Sequence, residues 1–295
     1  MLEIPWIQEE HTVRPQERGA RLAGLAELPV ARPTNPLAGV ASYINKTMVI
    51  AEVEARKLRH DPTELLTRAV QPALWLLVFG QVFTRTRAIP TGNLSYLDFM
   101  APGILAQSVL FIAIFYGIAI IWERDLGIVH KFLASPTPRS ALVLGKALSA
   151  GIRALSQALI IYALALLMGV KLNWNPLNLI GVILLVLLGS AFFSTFSLII
   201  ACLVKTRERF MGIGQVLTMP LFFASNAIYP ISLMPTWLQV IAHINPLTYE
   251  VDGLRALMVM GATSTYPVGL DIAILVVAAA ILVFIGGKLY PNVVV

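Results

Sequence analysis

Six stretches of this chain are apolar over about the length that a helix needs to cross a bilayer, and that limits its fold more than any other feature. They cover residues 65–83, 99–122, 148–170, 177–203, 210–229 and 270–287. A hydrocarbon core about 30 Å thick takes about 20 helical residues. Within it a backbone must satisfy itself, and continuous runs of this length do so as helices. The first and last runs are the least clean, since Arg68 and Pro72 lie in one and Asp271 opens the other. Apolar types make up 57% of the 295 residues and charged types 13%, where a soluble domain has about 45–50% and about 25%. That balance, with a mean hydropathy of +0.77, excludes a disordered chain, a coiled coil and a nucleic-acid module. The lone Cys202 excludes an intrachain disulfide and a cysteine-based metal cluster.

Charge then orients the spans. Of the 22 Lys and Arg residues, 17 fall on the side of the N-terminus when Arg68 is counted with the segment before it. Arg85, Arg87, Lys171 and Arg255 fall on the other side, and Arg153 lies inside the third run. Cations concentrate on the cytosolic face, so both termini are expected inside.

The residues ahead of the first run differ from the rest. Residues 1–34 are rich in charge and proline, hold no run of signal-peptide length and read as a mobile cytosolic tail. Asn35-Pro36 then supplies a cap and a first-turn proline. Leu37, Val40, Ala41, Ile44, Met48, Ala51, Ala55 and Leu58 come after it at the helical period. Lys46, Glu52, Arg56, Lys57 and Arg59 take the remaining surface. A one-sided, cationic helix over 35–60 suits the bilayer surface, or alternatively a soluble partner. Asp61 and Glu64 restart a helix as cap and capping-box residue, which opens a transmembrane domain over 61–295.

Two loops carry more pattern than a connection needs. After the second run, Glu123, Arg124, Asp125, His130 and Lys131 form a polar face and Leu126, Val129, Phe132 and Leu133 an apolar one, closed by Pro136 and Pro138. This reads as a short amphipathic helix, either a knob for a partner's groove or a loop helix capping the bundle. Between the fifth and sixth runs, residues 230–261 make two apolar halves, each too short to cross, with Pro235 and Pro246 each placed to start a helix. Two half-helices that enter and leave on the outer side fit that length, as does an amphipathic outer loop. Glu250, Asp252 and Arg255 would line the resulting cavity or interface, and the spacing of Asp252 and Arg255 suits an ion pair.

Elsewhere the polar residues are sparse. Arg153 sits one turn from Gln157 in the third run and is expected to snorkel to the headgroups. His11, His60, His130 and His243 share no ligand spacing, so no metal site is expected. Gly181, Gly189, Ser190, Ser194 and Ser197 give the fourth run small residues for close helix packing.

Together these features resemble the permease subunit of type-2 ABC exporters, the class of daunorubicin-resistance and nodulation-type permeases. The resemblance covers residue 35 to the end. It rests on Glu123, Arg124, Asp125, Gly127, Leu133, Ser135 and Pro136, and on the run Asn245-Pro246-Leu247-Thr248-Tyr249 with Asp252, Leu254 and Arg255 after it. Ile128 stands where the family usually has Thr, and His130 where Glu is common. The resemblance implies an all-α membrane protein of six transmembrane helices, an amphipathic interface helix before them and an outer re-entrant pair between spans five and six. It implies that Glu123, Arg124, Asp125, Gly127, Phe132, Leu133 and Pro136 contact the ATPase. Asn245, Pro246, Tyr249, Glu250, Asp252 and Arg255 would form the outer gate. The sequence has no Gly-x-x-x-x-Gly-Lys-Ser/Thr, so ATP and Mg are expected on a partner ATPase and no cofactor on this chain. The expected partners are that ATPase, a second permease copy and membrane lipids, at the plasma (inner) membrane. A secondary transporter would need ionisable groups at mid-bilayer and two corresponding halves, and neither is visible. A lipid-modifying enzyme would need clustered His, Asp or Glu at a membrane face, where only the thin set His243, Glu250 and Asp252 occurs.

Overall fold

The computed structural model describes residues 70–87, 89–129, 138–204 and 206–290, with isolated positions between 44 and 67. The chain divides into Met1–Ala41 and Ser42–Val295, and the first unit lies outside the described residues. So do the expected tail over 1–34, most of the expected surface helix over 35–60, and Phe132, Leu133 and Pro136. Among the described residues the second unit is helical, with one isolated bridge between Leu172 and Val259 and no strand.

Helix α1 is described from residue 70, passes through a π-helical stretch, Trp75–Gly80, and continues as Gln81–Thr86. Then come α2 (Tyr96–Asp125), α3 (Arg139–Leu167), α4 (Pro176–Leu203) and α5 (Arg207–Phe223). A short 3₁₀ turn at Ile231–Leu233 leads to α6 (Thr236–Ile244), α7 (Pro246–Met258) and α8 (Val268–Leu289). Local chemistry sets several boundaries. Ser95, Asn175 and Thr206 cap α2, α4 and α5 by accepting a backbone N–H with their side chains. Beyond α2, Gly127 takes a φ of +70°, which a residue with a Cβ adopts at a cost.

Helices α2, α3, α4 and α8, of 30, 29, 28 and 22 residues, are long and apolar enough to cross a membrane. The second, third, fourth and sixth expected runs therefore stand as helices, with most ends moved outward and that of the third run drawn back to Leu167, the usual place for such reading to slip. The fifth run does not reach its expected end. Helix α5 stops at Phe223, three residues past Pro220, which supplies no N–H. Ser225 then holds a turn, donating to the Phe222 carbonyl at 2.7 Å and accepting the Ala227 N–H at 3.3 Å.

Helix α2 is the centre of the bundle, packed by α3, α4, α5 and α7. Its Met100, Ile104, Leu105 and Leu110 share one apolar core with Leu185, Phe193, Leu247 and Leu254. One backbone approach needs glycine, and a second site sets a glycine against a side chain. A Cβ on Gly103 would land on the backbone of Ala227, and one on Gly189 would land on the Glu250 carboxyl. The small residues of the fourth run serve these contacts: Gly181 and Gly189 receive α7, while the Ser197 hydroxyl donates to the Ile114 carbonyl of α2. An aromatic ladder ties α1 to the start of α2, running Trp75, Phe79, Phe83, Tyr96, Phe99 with neighbouring ring centres 4.5 to 6.5 Å apart.

Contacts define two ends of the bundle. At one, Asp98 accepts the Lys171 N–H, Met258 accepts the Asn173 N–H, and Tyr96 donates to the Ile228 carbonyl. At the other, the ends of α2 and α4 meet the starts of α3 and α5.

Gly103→Val should lower thermal stability in detergent by about 1–3 kcal/mol, the usual cost of overpacking. Gly212→Ala, with nothing within 4 Å of its added methyl, should leave the unfolding temperature unchanged or raise it.

Candidate functional site

The end where α2 finishes carries the first cluster. Glu123 is buried and forms an ion pair with Lys146 of α3, which is buried as well. Arg124 bonds Asp125 and reaches the Val204 carbonyl at 3.4 Å. Asp125 also accepts from Arg207 at the start of α5, at 2.8 Å, and the Arg207 guanidinium lies 3.4 Å from the centre of the Trp122 ring. The last turn of α2 is thus tied to α3, to the end of α4 and to the start of α5. This corrects the expected amphipathic knob in two respects. Glu123, Arg124 and Asp125 belong to α2 itself, which ends ahead of Gly127, and Glu123 faces inward because Lys146 holds it there. Apart from its chain neighbours, no described residue lies within 4 Å of a Cβ added at Gly127.

The second cluster surrounds α6 and α7. Pro235 precedes the first residue of α6 and Pro246 is the first of α7, as their positions in the sequence suggest. Asn245 joins the two helices. Its side-chain oxygen accepts the Leu247 N–H at 3.1 Å, and its amide donates to the Leu221 and Ala224 carbonyls at 2.7 and 3.1 Å. One side chain therefore caps α7 and satisfies two carbonyls at the end of α5. Tyr249 donates back to the His243 carbonyl at 2.6 Å, which fixes the angle between the two short helices. From this apex α7 runs up to Val259, at the Leu172 end of the bundle.

The two helices meet different surroundings. In α7, Leu247, Thr248, Glu250, Val251, Asp252 and Leu254 are almost entirely enclosed. In α6, Trp237, Val240, Ile241 and Ile244 are exposed. Glu250 faces α4 at Gly189, and no described residue gives its carboxyl a hydrogen bond. Glu250, Asp252 and Arg255 thus point into the bundle rather than line an open cavity.

Asp252 and Arg255 are not joined by an ion pair, which corrects the expectation from their spacing. Arg255 lies 3.8 Å from the centre of the Phe99 ring and donates to the carbonyls of Phe99 and Asn226, at 3.3 and 2.6 Å. Asp252 accepts from Thr265 and from the Tyr266 N–H, each at 2.9 Å, and from Asn226 at 3.4 Å. Both side chains reach across to the backbone and side chains of other elements, which need them more than they need each other. Tyr266 also meets His243 Nδ1 at 2.6 Å. Burial, then the nearby Tyr249, Asp252 and Asp271, push the Tyr266 phenol up, so it stays neutral at physiological pH.

Arg153 lies on α3 with its guanidinium 5.3 Å from the centre of the Tyr116 ring, so a ring of α2 engages the charge expected to snorkel. Sequence reasoning missed Lys146, Arg207, Asn226, Thr265 and Tyr266. Lys146 and Arg207 were visible only as two of the cations that orient the spans. Their partners lie 23 and 82 positions away, beyond any local spacing rule. Among the described residues no group of three or more His, Cys, Asp or Glu could hold a metal ion.

Comparison with known proteins places these elements. Residues 45–259 match the family profile described as ABC-2 type transporter. The chain is 29% identical over 218 residues to the transport permease ycf38 of Cyanophora paradoxa, covering 73% of this chain and 74% of that protein. It is 25% identical over 234 residues to the daunorubicin resistance ABC transporter permease protein DrrB1 of Streptomyces coeruleorubidus, covering 79% and 82%. The inner membrane transport permease YadH of Escherichia coli (strain K12) is 22% identical over 197 residues, or 65% and 73% of the two chains.

Glu123→Ala should destabilise the protein by about 3–5 kcal/mol, because it leaves the Lys146 charge enclosed without its carboxylate. The pair Glu123→Leu with Lys146→Met should recover most of that loss, read as unfolding temperature in detergent.

Proposed function

The chain belongs to the ABC-2 type transporter family, and we propose that it is the membrane permease subunit of an ATP-driven exporter, powered by a separate ATPase. Its cargo is amphipathic: a lipid-like, drug or glycan molecule carried out of the cytosol. The observation that carries this reading is the family match, which spans both clusters of tied helix ends. The lack of a phosphate-cradling loop in these 295 residues supports placing ATP and Mg on the partner.

In this reading α1 and α5 complete six passes with the four long helices, and α6 and α7 are the re-entrant pair on the outer side. The bonded apex at Asn245 supports that arrangement, because backbone that turns at depth needs protein to satisfy it. Both termini are then cytosolic and the membrane is the plasma (inner) membrane, as the cation distribution favours. Two copies of the permease pair about a two-fold axis, with an ATPase under each.

In this reading the two clusters take distinct parts in the cycle. The segment beginning at Gly127 and continuing through Phe132, Leu133 and Pro136 meets the ATPase, together with the surface helix over 35–60. Arg124 and Asp125 pass its displacement to α4 and α5 through Val204 and Arg207. Glu123 passes it to α3 through Lys146. Asn245 ties the far end of α5 to α7, so that a shift of α5 reaches the outer gate of Asn245, Pro246, Tyr249, Glu250, Asp252 and Arg255.

Co-expression with its cognate ATPase should yield a stable complex with ATP-dependent export in proteoliposomes. Gly127→Ala, which forces a Cβ onto a φ of +70°, should cut transport several-fold while ATP hydrolysis continues. Transport by this chain reconstituted without any ATPase would overturn the reading.

A further inference from the structure

A pocket of about 160 Å³ opens between α1, α2 and α3, lined by Gln71, Gln107, Ser108, Gln157 and the rings of Phe111 and Phe115. No described residue that lines it carries a charge. Gln107 and Gln157 are 2% and 0% exposed, and neither amide has a hydrogen-bond partner on its oxygen or its nitrogen. A buried amide left unbonded is costly, and most buried polar groups in native proteins have a partner. Here two face the same pocket from different helices.

The depth is equally uncommon for such groups. The Tyr96 end of α2 and the Leu167 end of α3 lie at the same end of the bundle, since Lys171 bonds Asp98. At a rise of about 1.5 Å per residue, Gln107 and Gln157 each sit roughly 15 Å in from that end. This is about half the thickness of the hydrocarbon core. The volume equals that of about five waters at about 30 Å³ each, enough for one hydroxylated ring. Phe111 and Phe115, stacked with centres 6.0 Å apart, supply an apolar wall beside the amides.

We propose that this pocket is a subsite for a neutral, polyhydroxylated group, such as a sugar ring, presented at mid-membrane depth. Each amide offers a donor and an acceptor at fixed spacing, which matches adjacent hydroxyls, and the rings cover the C–H face. A charged group finds no counter-charge among these residues and would lose its hydration on entry. The proposal rests on the permease reading and refines its cargo class toward glycosylated amphiphiles.

The test uses the full chain in phosphatidylethanolamine–phosphatidylglycerol nanodiscs and an octyl β-D-glucoside bearing a diazirine next to the sugar. Photolabelling should map to the peptide around Gln107 to Phe115 and be competed by unlabelled octyl glucoside, not by octyl phosphocholine. Competition by free glucose as well would support a sugar taken from water, and competition by the glucoside alone a membrane-borne one. Gln107→Leu with Gln157→Leu should cut labelling about tenfold or more, since each lost hydrogen bond to a buried group costs that order. Gln157→Leu alone serves if the pair fails to fold. Absent labelling at this peptide, equal competition by octyl phosphocholine, or unchanged labelling of the variants would overturn the proposal. The assay needs no ATPase, so its failure beside a stable ATPase complex removes the subsite and leaves the permease reading standing.

Discussion

Hydrocarbon offers a peptide group no hydrogen bond, so a chain in a bilayer has to satisfy every irregularity of its backbone from within. Asn245 shows how three such backbone groups are satisfied at once. The end of α5 leaves carbonyls at Leu221 and Ala224, and the start of α7 leaves an N–H at Leu247. One amide side chain answers all three. Aspartate could accept the N–H but could not donate to two carbonyls, and serine is too short to span both helix ends. The residue type follows from the count of donors and acceptors.

The same demand explains how the few charged groups are housed. Arg255 neutralises nothing in direct contact; it spreads its guanidinium over the Phe99 ring and two backbone carbonyls. Arginine suits this because its charge is delocalised and its donors lie in one plane. Asp252 in turn holds the loop at Thr265 and Tyr266 that leads into α8. Each charge therefore serves as a tie between segments distant in sequence.

Much of this was legible in the residues. Runs of the right length gave four helices long and apolar enough to cross a membrane, and Pro235 and Pro246 marked the starts of the two short ones. Pro246 read as a helix start, but the task of Asn245 toward α5 depends on a neighbour that no local pattern reveals. The pairing expected of Asp252 and Arg255 failed for the same reason. A one-turn spacing says that two charges could meet, and the rest of the fold decides whether a stronger contact displaces that one. Glu123 looked like part of a solvated face, because the cation that draws it inward stands on another helix. The fifth run lost its end beyond Phe223 to Pro220 and to the Ser225 turn, both present in the sequence yet outweighed there by continuous hydropathy.

The π stretch at Trp75–Gly80 has its own effect on how the first helix is to be viewed. Bonds reaching one residue further than usual place an additional residue in the winding. Positions before and after it are then out of phase with a single 3.6-residue repeat, by about 100° for one residue. Two wheels are needed to draw this helix, one ending at Leu74 and one starting at Gln81. A stripe traced across the join on a single wheel would assign side chains to the wrong neighbours.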